Sequence, residues 1–455
     1  MKLTKKKILI SLGLFVLLLS VLIMVLPFGN FRRADIAILS SFGINGFLWS
    51  FLLINEVQKR AFSFTFMHWT FCLLFFFFAA LVQYINDKFP WINYRNDDIL
   101  FYSNAILLLW TIGFYIGNRS RMIKFQKLKI FLNRTIAIPS NTKIFLTILL
   151  VITLWRVYSV GFINLFARST SIYHVSENSS ISLILEHSIA ALAYYAALFT
   201  IISYKHRSNR IIILTCVAIF IAYPPTGLSR YEAAAIYLGL MLTEIDLMRR
   251  TKVFVMLFLG GFFIALPFLN AFRNTAISDV SFSNVLNSIV SNFDTLWLAG
   301  DYDAYTMLTL ACDYIETNGI SCGYQLLGVL FFWIPRNFWI TKPIGSGAEM
   351  ANSLGWHFTN LSCPLPAEAL INFSLIGVLM FALFIGYVIK LLDNLYWKNP
   401  DSNRLLDLLY PVVVILFFFM CRGDLMSSFS YMMAYIFIGL LLAYFNSIYI
   451  KINLK

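Results

Sequence analysis

The sequence predicts an all-α polytopic membrane protein of about twelve transmembrane helices, interrupted by one large extracytoplasmic loop. Three observations lead there: the apolar excess, the recurrence of long apolar runs, and the placement of the basic residues. Hydrophobic residues make up 60% of the 455 and charged residues only 13%. That is more apolar surface than a soluble core can hide, so lipid is the solvent and soluble globular classes are excluded. Stretches near the ~20 residues needed to cross a ~30 Å hydrocarbon layer recur from end to end.

The first run, 8–27, follows Lys2, Lys5, Lys6 and Lys7. It has the charged start of a signal peptide, but no small-residue cleavage site precedes Phe31 and more spans follow, so it reads as an uncleaved anchor. Apolar runs bounded by charge then place spans at 34–54, 63–84, 97–117, 144–160, 181–203, 211–225, 229–243 and 253–272. A 93-residue loop, 273–365, comes next, and spans at 366–388, 406–421 and 428–449 close the chain. The organisation is therefore helices 1–9 in residues 1–272, the outer loop in 273–365, and helices 10–12 in 366–455. An even number of spans puts both termini on one side.

Orientation follows from lysine and arginine, because translocation disfavours basic loops. With the N-terminus inside, 24 of the 35 lysines and arginines fall on cytoplasmic segments. The expectation is a multi-pass protein of the bacterial inner membrane with both termini cytoplasmic. The +13 net charge is then mostly topological, and no nucleic-acid-binding motif accompanies it.

Inside the outer loop, FDTLWLAGDYDAYTMLTL alternates apolar and polar positions at helical spacing, which predicts an amphipathic helix on the membrane face. YQLLGVLFFWIP, ending at Pro335, is too short to cross the bilayer and suits an interfacial or re-entrant helix. Three of the six cysteines, Cys312, Cys322 and Cys363, lie in this loop. A Cys312–Cys322 bridge and three free thiols both remain open, and no CxxC or Cys/His spacing suggests a metal site.

Charge at membrane depth is costly, so an arginine near a span end is a functional candidate unless it snorkels to water or pairs internally. Arg168, Arg230, Arg273, Arg336 and Arg422 stand on the outer side. Spans 211–225 and 229–243 each reach only ~22 Å at 1.5 Å per residue, so the turn PPTGLSR carrying Arg230 is recessed below the outer surface. Arg422, in CRGD, follows the equally short span 406–421. Guanidinium forks suit the phosphates of a lipid; the alternative is internal pairing of Arg230 with Glu232 or Glu186, and of Arg422 with Asp424. Arg156, inside a span, is expected to snorkel or to pair with an acid.

Among the remaining polar groups, Glu368 in LPAEALINF and His357 in LGWHFTN are the candidates for general base toward a sugar hydroxyl, with helix capping or plain hydrogen bonding as the alternative for each. Asp301 and Asp303 form a DxD pattern, which can hold a divalent cation or stand as two ordinary surface acids.

These motifs, in this order, resemble the Wzy-type polymerases of O-antigen and other oligosaccharide repeat units. The resemblance rests on FAR at Arg168, PPTGLSRYE at Arg230, LNAFRN at Arg273, GYQLLGVLFFWIPRNFWITKP followed by PLPAEALINFSLIGV, and CRGDL at Arg422. It implies a GT-C-like membrane glycosyltransferase, related in architecture to O-antigen ligases. Such an enzyme moves a growing polysaccharide from undecaprenyl diphosphate to another lipid-linked repeat unit on the periplasmic face. It further implies that Arg230, Arg273 and Arg422 meet the diphosphates, that Arg168 and Arg336 position substrate, and that Glu368 or His357 activates the acceptor, with no metal or cofactor. The partners implied are the undecaprenyl-diphosphate-linked donor and acceptor, membrane lipid, a Wzz-type chain-length regulator and a Wzx-type flippase, with no nucleic acid. Two rival readings are an O-antigen ligase, which His357 keeps open, and a flippase for lipid-linked oligosaccharide, which the single long loop and the unmatched halves disfavour.

Overall fold

The computed structural model describes residues 35–57, 60–92, 95–121, 126–132, 143–166, 180–204, 208–242, 297–397 and 404–453, with isolated positions between 253 and 261. Among them, eight helices are long and apolar enough to cross a membrane. The predicted spans 8–27 and 253–272, with Arg168 and Arg273, fall outside the described residues or touch them only at those isolated positions.

The helices are α1 (Ile36–Val57), α2 (Phe64–Asn86), α3 (Asp97–Arg119), α4 (Gln126–Leu132), α5 (Lys143–Val160), α6 (Ser180–Tyr204), α7 (Asn209–Ala222) and α8 (Arg230–Met241). Beyond residue 297 come α9 (Ala304–Asn318), α10 (Tyr324–Leu330), α11 (Ser346–Ser353), α12 (Leu365–Trp397), α13 (Leu405–Arg422) and α14 (Leu425–Asn453). The predicted spans 211–225 and 229–243 correspond to α7 and α8, helices of 14 and 12 residues.

At the centre stands α2, whose residues 64–82 are all buried, aided by the run of four phenylalanines at Phe75–Phe78. Ser63 caps it by accepting from the Phe66 amide, and Asp87 ends it in the left-handed region. A π-helical stretch, Cys72–Ala79, lies in its middle. The tightest pair is α3 with α12: any Cβ on Gly117 would enter the Leu383 carbonyl, and any on Gly386 the Phe114 carbonyl. In lipid, where apolar burial alone gives helices no reason to associate, such small residues let backbones approach and gain dispersion contacts. On the other side, α5, α6 and α7 pack together, and α14 joins them to α13.

Two expectations are corrected by the packing, and the alternatives left open for the loop cysteines are narrowed to one. The predicted tenth span, 366–388, is not one continuous helix. Phe373 (φ −145°, ψ 22°) and Ser374 (φ 58°, ψ −156°) break α12. The first half, 365–372, is buried throughout, while 375–397 is by itself long enough to cross a ~30 Å core. The break frees the Ile371 carbonyl, which the Ser321 amide satisfies at 2.9 Å; irregular backbone at this depth is tolerated because protein covers it. Second, α9 does not lie on the membrane face, since Ala304–Cys312 are all buried against α12, α3 and α11. Its polar positions are spent inside the protein, Thr309 on Arg95 and Tyr305 on the Leu100 carbonyl and Asn104. Of the two alternatives for the loop cysteines the structure has free thiols, with Cys312 buried, Cys322 exposed and all six cysteines unbridged. The apolar run at 324–335 does prove too short to span, forming only the seven-residue α10.

Candidate functional site

The residues that gather at one end of the bundle come from the start of α8, from the end of α13 and from the segment 297–365. Arg230 is the first residue of α8 and Arg422 the last of α13. A cation suits a helix C-terminus, where the dipole is negative, and not an N-terminus. Accordingly Arg230 sits with acids: Glu232 closes a capping box with Ser229, and Asp301 takes the Arg230 Nη2 bond at 2.8 Å. Arg422 Nη2 donates to Asp303 Oδ1 at 2.9 Å and to the Gly300 carbonyl at 2.7 Å.

The turn Gly300–Asp303 is thus held between two guanidiniums whose own helices are far apart in sequence. Gln83 anchors it from beneath, donating to the Trp297 and Tyr302 carbonyls, both at 2.9 Å. Trp91 covers it: its indole donates to Asp303 Oδ2 at 2.8 Å and fills the space where a Cβ on Gly300 would lie. Ser362 donates to Asp303 Oδ1 at 2.6 Å. Asp303, 1% exposed, thereby has three donors around a buried charge. Burial pushes the Tyr302 phenol up and Asp301 adds to it, while Arg230 and Arg422 pull it back.

The predicted acids therefore take another role. Asp301 and Asp303 hold the arginines, and no group of three or more potential metal ligands occurs among the described residues. The internal pairs anticipated for Arg230 and Arg422 are replaced too. Glu186 goes to Arg156 at 3.8 Å, with Arg156 also donating to the Ala222 carbonyl and lying over the Tyr223 ring. Glu232 goes to Ser229 and to His187, and Asp424 caps α14.

Next to Arg422 lies a pair of carboxylates. Glu368 is 1% exposed, accepts from the Ser346 hydroxyl at 2.6 Å and from the Leu425 amide at 2.9 Å, and so joins the N-terminal turns of α11, α12 and α14. Those turns carry unpaired amides and positive dipole ends, which is why a buried carboxylate is held there. Asp424 accepts from the Ser427 amide and hydroxyl as N-cap of α14 and packs against Gly345 at the start of α11. Burial pushes the Asp424 carboxyl above its ordinary range, and amides of Ser427, Gly347 and Ser346 pull it partly back. Cys363 reports the same crowding: burial raises its thiol, and Glu368, Asp424 and Asp303 raise it further.

Of the predicted residues, the structure brings Arg230, Arg422 and Glu368 together. Arg336 instead secures its own loop, donating to the Lys342 and Pro343 carbonyls at 2.7 and 3.2 Å. Lys342, 5% exposed, binds the Phe332 and Ile334 carbonyls in return, and burial followed by Arg336 lowers its pKa. His357 is exposed beside the stacked pair Trp356 and Phe358. Sequence reasoning missed Asp424, Ser346, Ser362 and Trp91 as parts of the site; only the acid in CRGDL was visible, and only as a partner for Arg422.

Two donors stay uncommitted at the site. Arg422 Nε is buried without a partner, and Arg230 makes no bond beyond Asp301 among the described residues. The arrangement can present guanidinium N–H groups to an anion while the aspartates fix their direction. No family model, curated protein or solved structure matches this chain.

Proposed function

We propose that the protein is a membrane glycosyltransferase of the Wzy type, which polymerises undecaprenyl-diphosphate-linked repeat units into O-antigen polysaccharide at the periplasmic side of the inner membrane. The observation supporting this most is the convergence of Arg230 and Arg422 on the Gly300–Asp303 turn, with the buried Arg422 Nε unpartnered and two carboxylates adjacent. In this reading the acceptor sugar hydroxyl attacks C1 of the donor sugar, the C1–O bond to the diphosphate breaks, and the diphosphate leaves with the electron pair. Arg422 and Arg230 stabilise the negative charge as it develops. The hydroxyl proton goes to a carboxylate. Glu368 has both oxygens engaged, whereas Asp424 Oδ1 makes no hydrogen bond among the described residues, so Asp424, at the loop between α13 and α14, is the better acceptor.

Arg273 and Arg168 are retained as diphosphate and substrate contacts, with Arg336 shaping the loop beside the site. The Wzz-type regulator and Wzx-type flippase are the expected partners. A ligase reading gains no support, because His357 is bonded to no arginine among the described residues. The test is a gene deletion read on a lipopolysaccharide gel, complemented with wild type and with Arg422→Ala. Loss of the polymerase leaves core bearing a single repeat unit, and Arg422→Ala, present in the membrane at wild-type level, fails to restore the ladder. Bare core in the deletion strain, or a full ladder from Arg422→Ala, would overturn the proposal.

A further inference from the structure

The end of the bundle opposite this site holds a second polar feature that the transferase reading does not use. A cavity of about 180 Å³, several times the ~30 Å³ that a water occupies in the liquid, opens between α1, α2, α3 and α12. Arg60, Arg119 and Lys390 line it together with Glu56, Asn118 and Asp393. The 23 residues of α3 place it ~34 Å from the Trp91 end at 1.5 Å per residue, about one bilayer core away. Positive-inside distribution makes this the cytoplasmic face.

The pocket is cationic by arrangement. Asp393 is 1% exposed and already engaged by four donors, the Phe64 amide, the Thr65 amide and hydroxyl, and the Tyr410 hydroxyl. Among the described lining residues, Glu56 is then the other acid beside three cations. The cations are held and not trailing: Arg60 donates to Asn394 at 2.8 Å, Lys390 to the Ser120 carbonyl at 2.7 Å, and Arg119 lies over the Tyr115 ring at 5.1 Å. Asn118, bonded to Thr65 at 2.8 Å, adds an oriented amide.

We infer that this pocket binds a phosphate group, and that its chemistry suits the phosphodiester headgroup of an anionic phospholipid of the cytoplasmic leaflet. Arginine forks bind phosphate oxygens and lysine adds a point charge, and basic pockets between transmembrane helices on the cytoplasmic side take anionic headgroups. A monoanionic headgroup would offset the excess charge and tie α3 to α12 at their open ends. The inference does not rest on the transferase reading.

The test uses the full-length protein in mild detergent. Native mass spectrometry measures retention of phosphatidylglycerol against phosphatidylethanolamine, and thermal unfolding with and without millimolar inorganic phosphate reports the free ion. Removing both charges in Arg119→Gln/Lys390→Gln is expected to weaken phosphatidylglycerol retention about 30-fold. Arg119→Gln alone, at an exposed side chain, should give an intermediate loss with an unchanged melting temperature, and Arg210→Gln, outside the pocket, no loss. Stabilisation by inorganic phosphate without lipid retention, abolished in the double variant, would support the site with the free ion as occupant. The inference is overturned if wild type prefers neither ligand, if the double variant retains phosphatidylglycerol like wild type, or if Arg210→Gln loses it equally.

Discussion

Asp303 is 1% exposed and, among the described residues, Arg422 is its only charged partner by bond, whereas Asp301 and Arg230 are 25% and 17% exposed. The two pairs should therefore respond differently to truncation. Arg422→Ala leaves a buried carboxylate without its cation, at a cost of about 3 kcal/mol; Arg230→Ala exposes a carboxylate that water can reach, at a cost of under about 1 kcal/mol. Thermal unfolding of both variants in detergent reads this directly, and equal losses would show that the pairs are equivalent. Asp424 carries a pH prediction. Its carboxyl is raised by burial, so the folded protein holds that proton more tightly than the unfolded chain, and its stability contribution falls as pH rises from the ordinary carboxylate range through the raised pKa. A base must be ionised to accept a proton, so under the proposed transfer reaction the rate should climb over the same interval. The acid limb of the pH–rate profile should lie above the ordinary carboxylate range and disappear in Asp424→Asn. At this scale the arginines were legible in the sequence because charge near a span end is rare. Their partners were not, since Arg230–Asp301 and Arg422–Asp303 join positions 71 and 119 residues apart, and local spacing carries no trace of such pairs.

Among the elements, α12 and α3 set the frame. Ser374 holds φ 58° and ψ −156° at the break in α12, a region nearly reserved for glycine and costing other residues ~1–3 kcal/mol. Ser374→Gly should accordingly raise the melting temperature by about 2 °C; a fall would mean the hydroxyl does more than the backbone. Gly117 and Gly43 make a matched pair of tests. A leucine at 117 drives a side chain into the α12 backbone, while Gly43 on α1 has nothing within 4 Å of a Cβ. Gly117→Leu should deplete the membrane-integrated protein several-fold on immunoblots, and Gly43→Leu should leave it near wild type. Most of the described spans were legible from apolar runs because lipid demands a minimum length. The break was not, because INFSLIG carries no proline and no glycine at the turning residues, and an unbroken apolar run reads as one helix whether or not its backbone continues. The mistaken face of α9 has a related cause: periodicity shows that one side is polar without saying whether water or protein receives it.

For the whole molecule, the asymmetry of lysine and arginine makes an orientation test decisive. Alkaline phosphatase fused after residue 121 or 397 should be inactive and after residue 320 active; the reverse pattern would invert the protein and move Arg230 and Arg422 to the cytoplasm. The assembled site also has an order in time. Asp303 is synthesised 119 residues before Arg422, and Glu368 is made 57 residues before the Leu425 amide that caps it. Until the last hairpin enters the bilayer, Asp303 has Trp91 and Ser362 but no cation, and Glu368 has Ser346 but not the Leu425 amide. The CRGDL segment therefore acts as the closing stitch of biogenesis. A chain that stops short of it keeps Asp303 buried without its one bonded cation among the described residues.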